Sequence, residues 1–321
     1  MTTKTKFPLA DVIRPHENSL PDGIKNTAKF YWLDNDGVKL RVMLAHPKQS
    51  EPRGSLILHP GRTEFIEKYL ETVENFLERG FTVLVIDPRG QGLSDRLLED
   101  RTKSYVAHFQ DYANDLAFAI SEFGTSLPKP HILVGHSMGG CVVLQSIISG
   151  VTNPSAVICS APMLGLFDID TIITRFIIRC CDWMGMSKKN LPFQGQKVGH
   201  TPTFKGNKLT SDPTRFKRWA EYFKTSPALR LGPPTIGWVS QAIKAMAYVN
   251  RNAANVKIPG LIIAAGGDPI VDPATNRRFC ELSGLDFHVV RGAMHELFME
   301  RDEYREKFLS EVDAFLDRNA L

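Results

Sequence analysis

A serine flanked by glycines, between a strand pattern and a helix pattern, most constrains the fold of this chain. The segment GHSMGG, residues 135–140, follows the apolar strand pattern HILV and precedes the apolar helix pattern CVVLQSII. In such a G-x-S-x-G turn the serine takes strained backbone angles, and larger residues two positions away would collide. The pattern predicts that Ser137 is a nucleophile raised above a sheet, with the Met138 amide directed at the oxygen that gains charge.

A serine nucleophile needs a base and an orienting acid, and after such a turn the acid precedes the histidine in the chain. Asp268 follows the apolar strand pattern LIIAAGG, and Asp272 is the competing acid four residues later. His295 lies on the loop after the last strand pattern, where an imidazole can accept the serine proton. His288, inside that strand pattern, is predicted to pack in the core.

The second donor to a charged oxygen is expected in the segment LHPGRTEF, which follows an early strand pattern. Gly61 permits a close approach of the backbone, and the amide of Arg62 would converge with that of Met138 on one oxygen. An ordinary strand-helix loop is the alternative. The order of the segments along the chain favours the oxyanion role.

Strand and helix patterns alternate along most of the chain. A hairpin pattern turns at Asp36-Gly37, and uniformly apolar strand patterns then alternate with amphipathic helix patterns. This alternation predicts an α/β fold with a mostly parallel sheet covered by helices on both faces. It stops over residues 163–248, which predicts a helical lid inserted between two core segments, residues 1–162 and 249–321.

The predicted lid begins with an apolar stripe at helical spacing. Packing onto the body of the protein is the commoner explanation of such a stripe, and the other is that it lines an acyl-chain channel or contacts lipid. Basic side chains in the lid either meet anionic phospholipid or are simply solvated, which is the commoner case. The stripe consists of Ile172, Ile173, Phe176, Ile177, Cys180 and Met184, and the basic residues are Lys188, Lys189, Arg215, Lys217 and Arg218.

Composition disfavours several classes of partner. The net charge of +4 comes from scattered residues, so no nucleic-acid partner is expected. The five cysteines lack C-x-x-C spacing and favour a reducing compartment. The N-terminal segment lacks the apolar core of a secretory signal, and no stretch approaches the ~20 apolar residues that span a bilayer. We expect a cytoplasmic protein, at most peripheral to the inner membrane, without metal or organic cofactor.

The segments GHSMGG, HPGRTEF, DPRGQGLSDR, GGDPIVD and GAMHELF together resemble the α/β-hydrolase superfamily. More narrowly, they are similar to its lysophospholipase and monoacylglycerol lipase branch, grouped with serine aminopeptidase-like hydrolases, and most of all to the bacterial lysophospholipase L2 type. The resemblance implies an eight-stranded sheet with an inserted lid. It also implies a triad of Ser137, Asp268 and His295, with oxyanion amides at Arg62 and Met138. Many relatives have a small residue where this chain has Arg62.

The resemblance implies two-step hydrolysis of a lipid ester, either a lysophospholipid or a monoacylglycerol, with no cofactor. A carboxylesterase or lactonase for small esters would use the same triad under a tighter lid, and a ligand receptor could use the same fold without turnover. An aminopeptidase would need lid carboxylates to hold the substrate's ammonium group. The lid has few acidic residues: Asp168, Asp170, Asp182, Asp212 and Glu221.

Overall fold

The computed structural model describes residues 8–10, 12–13, 21–167, 171–191 and 202–321. An eight-stranded sheet forms its centre, and in space the strands follow the order first, second, fourth, third, fifth, sixth, seventh, eighth. The second strand is antiparallel to both of its neighbours, and the six later strands run parallel. The strands are β1 (Ala28–Asn35), β2 (Val38–Ala45), β3 (Gly54–His59), β4 (Phe81–Ile86), β5 (His131–His136), β6 (Ala156–Ser160), β7 (Gly260–Ala265) and β8 (Asp286–Val290).

Helices cover both faces of the sheet. Buried side chains of α3, α4, α7 and α8 belong to the core on one face, and those of α2 and α9 belong to the core on the other. The helices are α1 (Asp22–Lys25), α2 (Leu70–Glu78), α3 (Gln110–Phe123), α4 (Met138–Ile148), α5 (Ile172–Cys181), α6 (Pro213–Thr225), α7 (Ile236–Arg251), α8 (Pro273–Ser283) and α9 (Asp302–Arg318). The predicted fold class is confirmed.

The predicted hairpin joins β1 to β2. Asn35 pairs with Val38, and the two residues between them have positive φ, 51° at Asp36 and 81° at Gly37. Two-residue hairpin turns favour this backbone because its twist matches that of the strands, and Asp-Gly adopts it readily. The local sequence therefore determines the register of the first strand pair.

The uniformly apolar strands are buried on both faces of the sheet. In β3, Leu56 and Leu58 join one core while Ile57 joins the other, and all three are at most 1% exposed. Side chains alternate between the faces of a strand, so an unbroken apolar run fits a strand covered on both sides. Each such side chain contributes about 1.5–3 kcal/mol to stability.

The described residues between β6 and β7 form three α-helices and include no sheet strand. α7 packs against α4 and has a largely buried face, whereas α5 packs against α7. Residue 248, the predicted end of the lid, lies inside α7. The division into a core of residues 1–162 and 249–321 and a lid of residues 163–248 stays a prediction.

The apolar stripe of α5 does not pack onto the body of the protein, so that expectation is wrong. Ile172 is 86% exposed, and Ile173, Phe176 and Ile177 are also exposed. The opposite side of the helix faces the protein, with Ile178 buried against the core. Polar bonds fix this orientation: the turn after α5 carries Asp182, whose carboxylate accepts hydrogen bonds from Ser187 and Ser240.

Candidate active site

Ser137 occupies the turn between β5 and α4 in a strained conformation, with φ 51° and ψ −116°. A Cβ on Gly135 would lie 2.5 Å from the Gly139 carbonyl oxygen, and one on Gly139 would overlap the His59 carbonyl. Those obstacles are backbone atoms, which cannot move aside as a flexible side chain can. Both glycines are therefore needed for the tight turn that presents the Ser137 hydroxyl at the carboxyl end of the sheet.

Three side chains that are far apart in sequence meet at this end of the sheet. His295 Nε2 lies 2.9 Å from Ser137 Oγ, and His295 Nδ1 lies 2.6 Å from Asp268 Oδ2. The other oxygen of Asp268 accepts hydrogen bonds from the amides of Ile270 and Val271, at 2.8 and 3.0 Å. Asp268 is thus held by its own loop and can fix the orientation and tautomer of the imidazole.

The competing acid, Asp272, has a different position. It is the N-cap of α8, where its carboxylate accepts hydrogen bonds from the Ala274 amide and the Thr275 hydroxyl. His288 was expected in the core, but its side chain is 37% exposed and lies 3.1 Å from Glu311. The expectation for His288 is wrong because β8 is the edge strand and α9 leaves it partly open.

The loop predicted to supply the second oxyanion donor, residues 61–64 and called the oxyanion loop below, is held on both sides of Arg62. The Gly61 amide donates to Glu64 Oε2, and the Thr63 amide donates to Gln91 Oε1 at 2.6 Å. Within the described part of the chain, the amides of Arg62 and Met138 donate to no acceptor. Two N–H groups at this end of the sheet are therefore available to an added oxygen.

Thr63 and Gln91 were missed by the sequence analysis. Thr63 has φ 66°, a strained backbone conformation that is rare for a β-branched residue. Such strain persists only where the surrounding structure holds the backbone in place. Gln91 enforces it here, and its Nε2 also lies 3.8 Å from Met138 Sδ. The segment DPRGQG, which contains Gln91, indicated a turn after a strand. Which loop the glutamine contacts depends on the folded chain.

A buried ion cluster of Glu64, Lys68 and Glu296 lies beneath the oxyanion loop. Lys68 Nζ lies 2.7 Å from Glu64 and 2.6 Å from Glu296, and all three side chains are at most 6% exposed. Tyr69 also donates its hydroxyl to Glu64. Burial alone would raise the pKa of Glu64, but Lys68, His136 and these hydrogen bonds lower it to about 2. Glu64 is therefore ionised, and a fixed carboxylate holds the Gly61 amide.

The same region contains a set of potential metal ligands. Ligand atoms of Glu64, His136 and Glu296 lie within 4.8 Å of one another. The Lys68 ammonium already bonds to both carboxylates, so a metal ion would have to displace a buried cation. The donor set therefore fits an internal ion pair better than a metal site.

Two further histidines surround the triad and are uncharged at neutral pH. Burial lowers the pKa of His59 to about 4, and burial, opposed by Glu64, lowers that of His136 to about 4. His59 Nδ1 bonds to the Pro60 carbonyl, and His136 Nδ1 bonds to that of Ser160. Both shape the site without adding charge to it.

The described acidic residues of the predicted lid all have structural partners. Asp182 binds two serines, Asp212 caps α6, and Glu221 lies 3.7 Å from Lys224. Asp168 and Asp170 lie outside the described residues. Each of these three described lid carboxylates is therefore already bonded to a group of the protein itself.

The basic residues of the predicted lid divide into two groups. Arg215 and Arg218 both bind Glu71, Arg215 in a half-buried position and Arg218 at the surface, where its side chain is 48% exposed. Lys188, Lys189 and Lys217 are exposed. Among the described residues, no helix is both long and apolar enough to cross a bilayer.

Comparison with known proteins connects this geometry to one family. A family model described as serine aminopeptidase, S33, matches residues 50–302. Lysophospholipase L2 of Escherichia coli is 30% identical over 274 residues, which make up 82% of this chain and 80% of that protein. Monoacylglycerol lipase of Mycolicibacterium smegmatis is 21% identical over 258 residues, 79% of this chain and 85% of that protein. The resemblance to the lysophospholipase and monoacylglycerol lipase branch is confirmed.

Solved structures agree on the fold. A soluble variant of monoglyceride lipase from Saccharomyces cerevisiae, in complex with a substrate analog, is similar with a TM-score of 0.74 and 19% identity. That match covers 93% of this chain and 98% of the other. A thermostable carboxyl esterase from Bacillus coagulans gives a TM-score of 0.73 at 18% identity, covering 92% and 99%. At these identities the likeness establishes the α/β-hydrolase fold.

Proposed function

We propose that this chain, which belongs to the serine aminopeptidase S33 family, is a serine hydrolase that cleaves lipid carboxylic esters through an acyl-enzyme. The substrate is a lysophospholipid or a monoacylglycerol, in line with the names of its relatives. The observation that carries the proposal is the continuous hydrogen-bonded path from Ser137 through His295 to Asp268. Such a path gives a hydroxyl a base and gives that base a fixed orientation.

In the first step, Ser137 Oγ attacks the ester carbonyl carbon while His295 Nε2 takes its proton. Asp268 stabilises the resulting imidazolium. The Arg62 and Met138 amides donate to the carbonyl oxygen as it becomes negatively charged, and each such donor contributes about 3–4 kcal/mol to the transition state. Collapse of the tetrahedral intermediate breaks the ester bond, and His295 protonates the leaving alcohol.

In the second step, His295 removes a proton from water, which attacks the acyl carbon. A second tetrahedral intermediate forms with its oxygen on the same two amides. Its collapse returns the proton to Ser137 Oγ and releases the fatty acid. The uncharged states of His59 and His136 suit this cycle, because a second cation beside His295 would disfavour the imidazolium.

The lid and its surface complete the proposal. In this proposal the helices of the lid, α5, α6 and α7, cover the substrate side of the core, and the exposed apolar side chains of α5 contact the lipid surface from which the substrate is taken. Exposed Lys188 and Lys189 follow that helix and would favour anionic lipid. The protein then acts as a peripheral enzyme at the inner membrane, with no spanning segment required.

The test is a substrate panel with wild type and Ser137→Ala. The panel runs from short nitrophenyl esters through a monoacylglycerol to lysophospholipids, and fatty-acid release is measured. We expect release from the lipids to exceed that from short esters, and Ser137→Ala to abolish it with an unchanged melting temperature. Undiminished turnover by Ser137→Ala would remove the serine from the mechanism. Fluorophosphonate labelling of wild type without turnover of any ester would favour a ligand receptor.

A further inference from the structure

The Arg62 side chain has an unusual set of partners. Its Nη1 donates to the Gly232 carbonyl at 3.2 Å, and its guanidinium lies 5.6 Å from the centre of the Trp238 ring. No carboxylate of the described residues lies within ion-pair distance of it. Of the five N–H donors of a guanidinium, one has an acceptor in the described part of the protein.

Other arginines of the protein interior are paired differently. Arg41 binds Glu67 and Asp87, and Arg89 binds Asp115. Arg96 has no carboxylate partner in the described ranges, but three carbonyl oxygens accept its hydrogen bonds. A half-buried arginine with unused donors is costly to maintain without a partner. Consistent with that, burial lowers the pKa of Arg62 to about 10, which leaves it charged at neutral pH.

The guanidinium lies at the same end of the sheet as the triad. Trp238 Nε1 donates to the Tyr112 hydroxyl, and the Tyr112 ring packs edge-on against His59, 6.3 Å away. The His59 carbonyl in turn contacts the turn that carries Ser137. Arg62, whose amide is proposed to bind the ester oxygen, thus also places a cation beside Trp238 at this end of the sheet.

We propose that Arg62 recognises the headgroup of the substrate through an ion pair between its guanidinium and the phosphate of a lysophospholipid. This inference rests on the proposed function and deepens it, because it selects the phosphate-bearing class over neutral monoacylglycerol. The arginine side chain and the glycerol backbone of a lysophospholipid are similar in length. The Arg62 amide can therefore bind the ester oxygen while its guanidinium reaches the phosphate. Arginine suits this role because its fork of donors binds phosphate in a bidentate manner.

The experiment compares the turnover of two substrate classes by the same protein, and repeats that comparison for each variant. Wild type, Arg62→Gln and Arg62→Lys are assayed on monooleoylglycerol and on oleoyl lysophosphatidylglycerol and lysophosphatidylcholine in uncharged detergent micelles. All three variants keep the backbone amide, so the measured quantity is the ratio of kcat/KM for lysophospholipid to that for monooleoylglycerol. We expect Arg62→Gln to lower this ratio about tenfold to a hundredfold, mainly through KM, since charged hydrogen bonds contribute that much. Arg62→Lys should restore part of it.

Lys244→Gln is the matched control, because it removes the same charge from an exposed position of α7. Its ratio should equal that of wild type. Thermal unfolding and fluorophosphonate labelling establish that each variant is folded, and a common loss of activity cancels in the ratio. An equal loss on both substrates in Arg62→Gln would overturn the inference and make Arg62 a clamp between the oxyanion loop and Gly232.

Two outcomes distinguish failure of this inference from failure of the proposed hydrolase function. Turnover of monooleoylglycerol but of neither lysophospholipid by wild type would overturn the role of Arg62 and leave the serine hydrolase intact. Turnover of no lipid ester by wild type would overturn both. A ratio that falls in Arg62→Gln and recovers in Arg62→Lys would support the pairing with phosphate.

Discussion

The end of the sheet that carries Ser137 and the outer surface of α5 are built in opposite ways. Around Ser137 the side chains of His295 and Asp268 are buried and hydrogen-bonded, and the ion cluster beneath the oxyanion loop is at most 6% exposed. On α5 the large apolar side chains face outward, and Trp183 in the turn that follows is 89% exposed. The region around Ser137 therefore buries polar groups in the protein interior, and the outer surface of α5 exposes apolar groups to solvent.

The difference teaches where each region obtains its stabilisation. The groups around Ser137 are preorganised by the protein itself, as electrostatic catalysis requires, because donors that are already aligned need no rearrangement during reaction. The apolar face of α5 gains nothing from the fold, since burial is what stabilises apolar area. Changes near Ser137 should therefore alter activity and stability strongly, whereas changes on α5 should alter contact with lipid.

The largest expected effect is on the orientation of His295. Asp268→Asn should lower kcat by roughly 10⁴-fold, because an amide in place of the carboxylate favours the wrong imidazole tautomer. Asp272→Asn is the control, and asparagine is as good an N-cap as aspartate, so activity should stay within about twofold of wild type. Steady-state hydrolysis of monooleoylglycerol measures both. The reverse result would transfer the acid role to Asp272.

The next effect is on stability. Lys68→Met leaves Glu64 and Glu296 buried without their shared cation, which should lower the free energy of unfolding by about 3–5 kcal/mol. Urea unfolding followed by circular dichroism measures this change. Lys224→Met removes an exposed lysine and should change stability by less than about 0.5 kcal/mol. Equal stability of the two variants would show that the cluster contributes nothing.

The third effect is a loss of stability in acid. His59 and His136 have pKa values of about 4 in the folded protein, against 6.5 when unfolded, so the unfolded chain binds more protons between those values. Stability from both histidines is full above pH 6.5 and is lost as the pH falls to 4, by on the order of 3 kcal/mol each. Urea unfolding at several pH values measures the slope. His136→Asn should reduce that slope markedly, and an unchanged slope would contradict the assignment.

The smallest effect on stability is expected on α5. Replacing Ile173 and Phe176 by serine should change the free energy of unfolding by less than about 0.5 kcal/mol, while binding to anionic vesicles falls. Ile178→Ala, on the opposite side of the helix, should cost about 2–4 kcal/mol. Chemical unfolding and vesicle sedimentation separate the two faces. Comparable destabilisation by both changes would mean that the outer face packs against protein after all.

The sequence by itself determined the features that depend on local geometry. The steric limits of the turn around Ser137 require glycine at Gly135, where a Cβ would meet the nearby Gly139 carbonyl, and Asp36-Gly37 selects a hairpin turn without help from distant residues. Apolar runs between helix patterns likewise indicated strands buried on both faces. Each of these follows from interactions between neighbours in the chain, so a single sequence was enough to predict them.

Tertiary structure alone decided the features that depend on contacts between distant segments. Folding brings separate elements together and so decides three contacts that the sequence leaves open. These are the acid that bonds to His295, the loop that Gln91 supports and the carboxylates that bind the Lys68 ammonium. The direction of α5 was decided in the same way. Its apolar stripe predicted burial, but two serine hydrogen bonds to Asp182 and the packing of Ile178 turned the other side inward. Periodicity identifies an apolar face, and only the three-dimensional contacts determine what covers it.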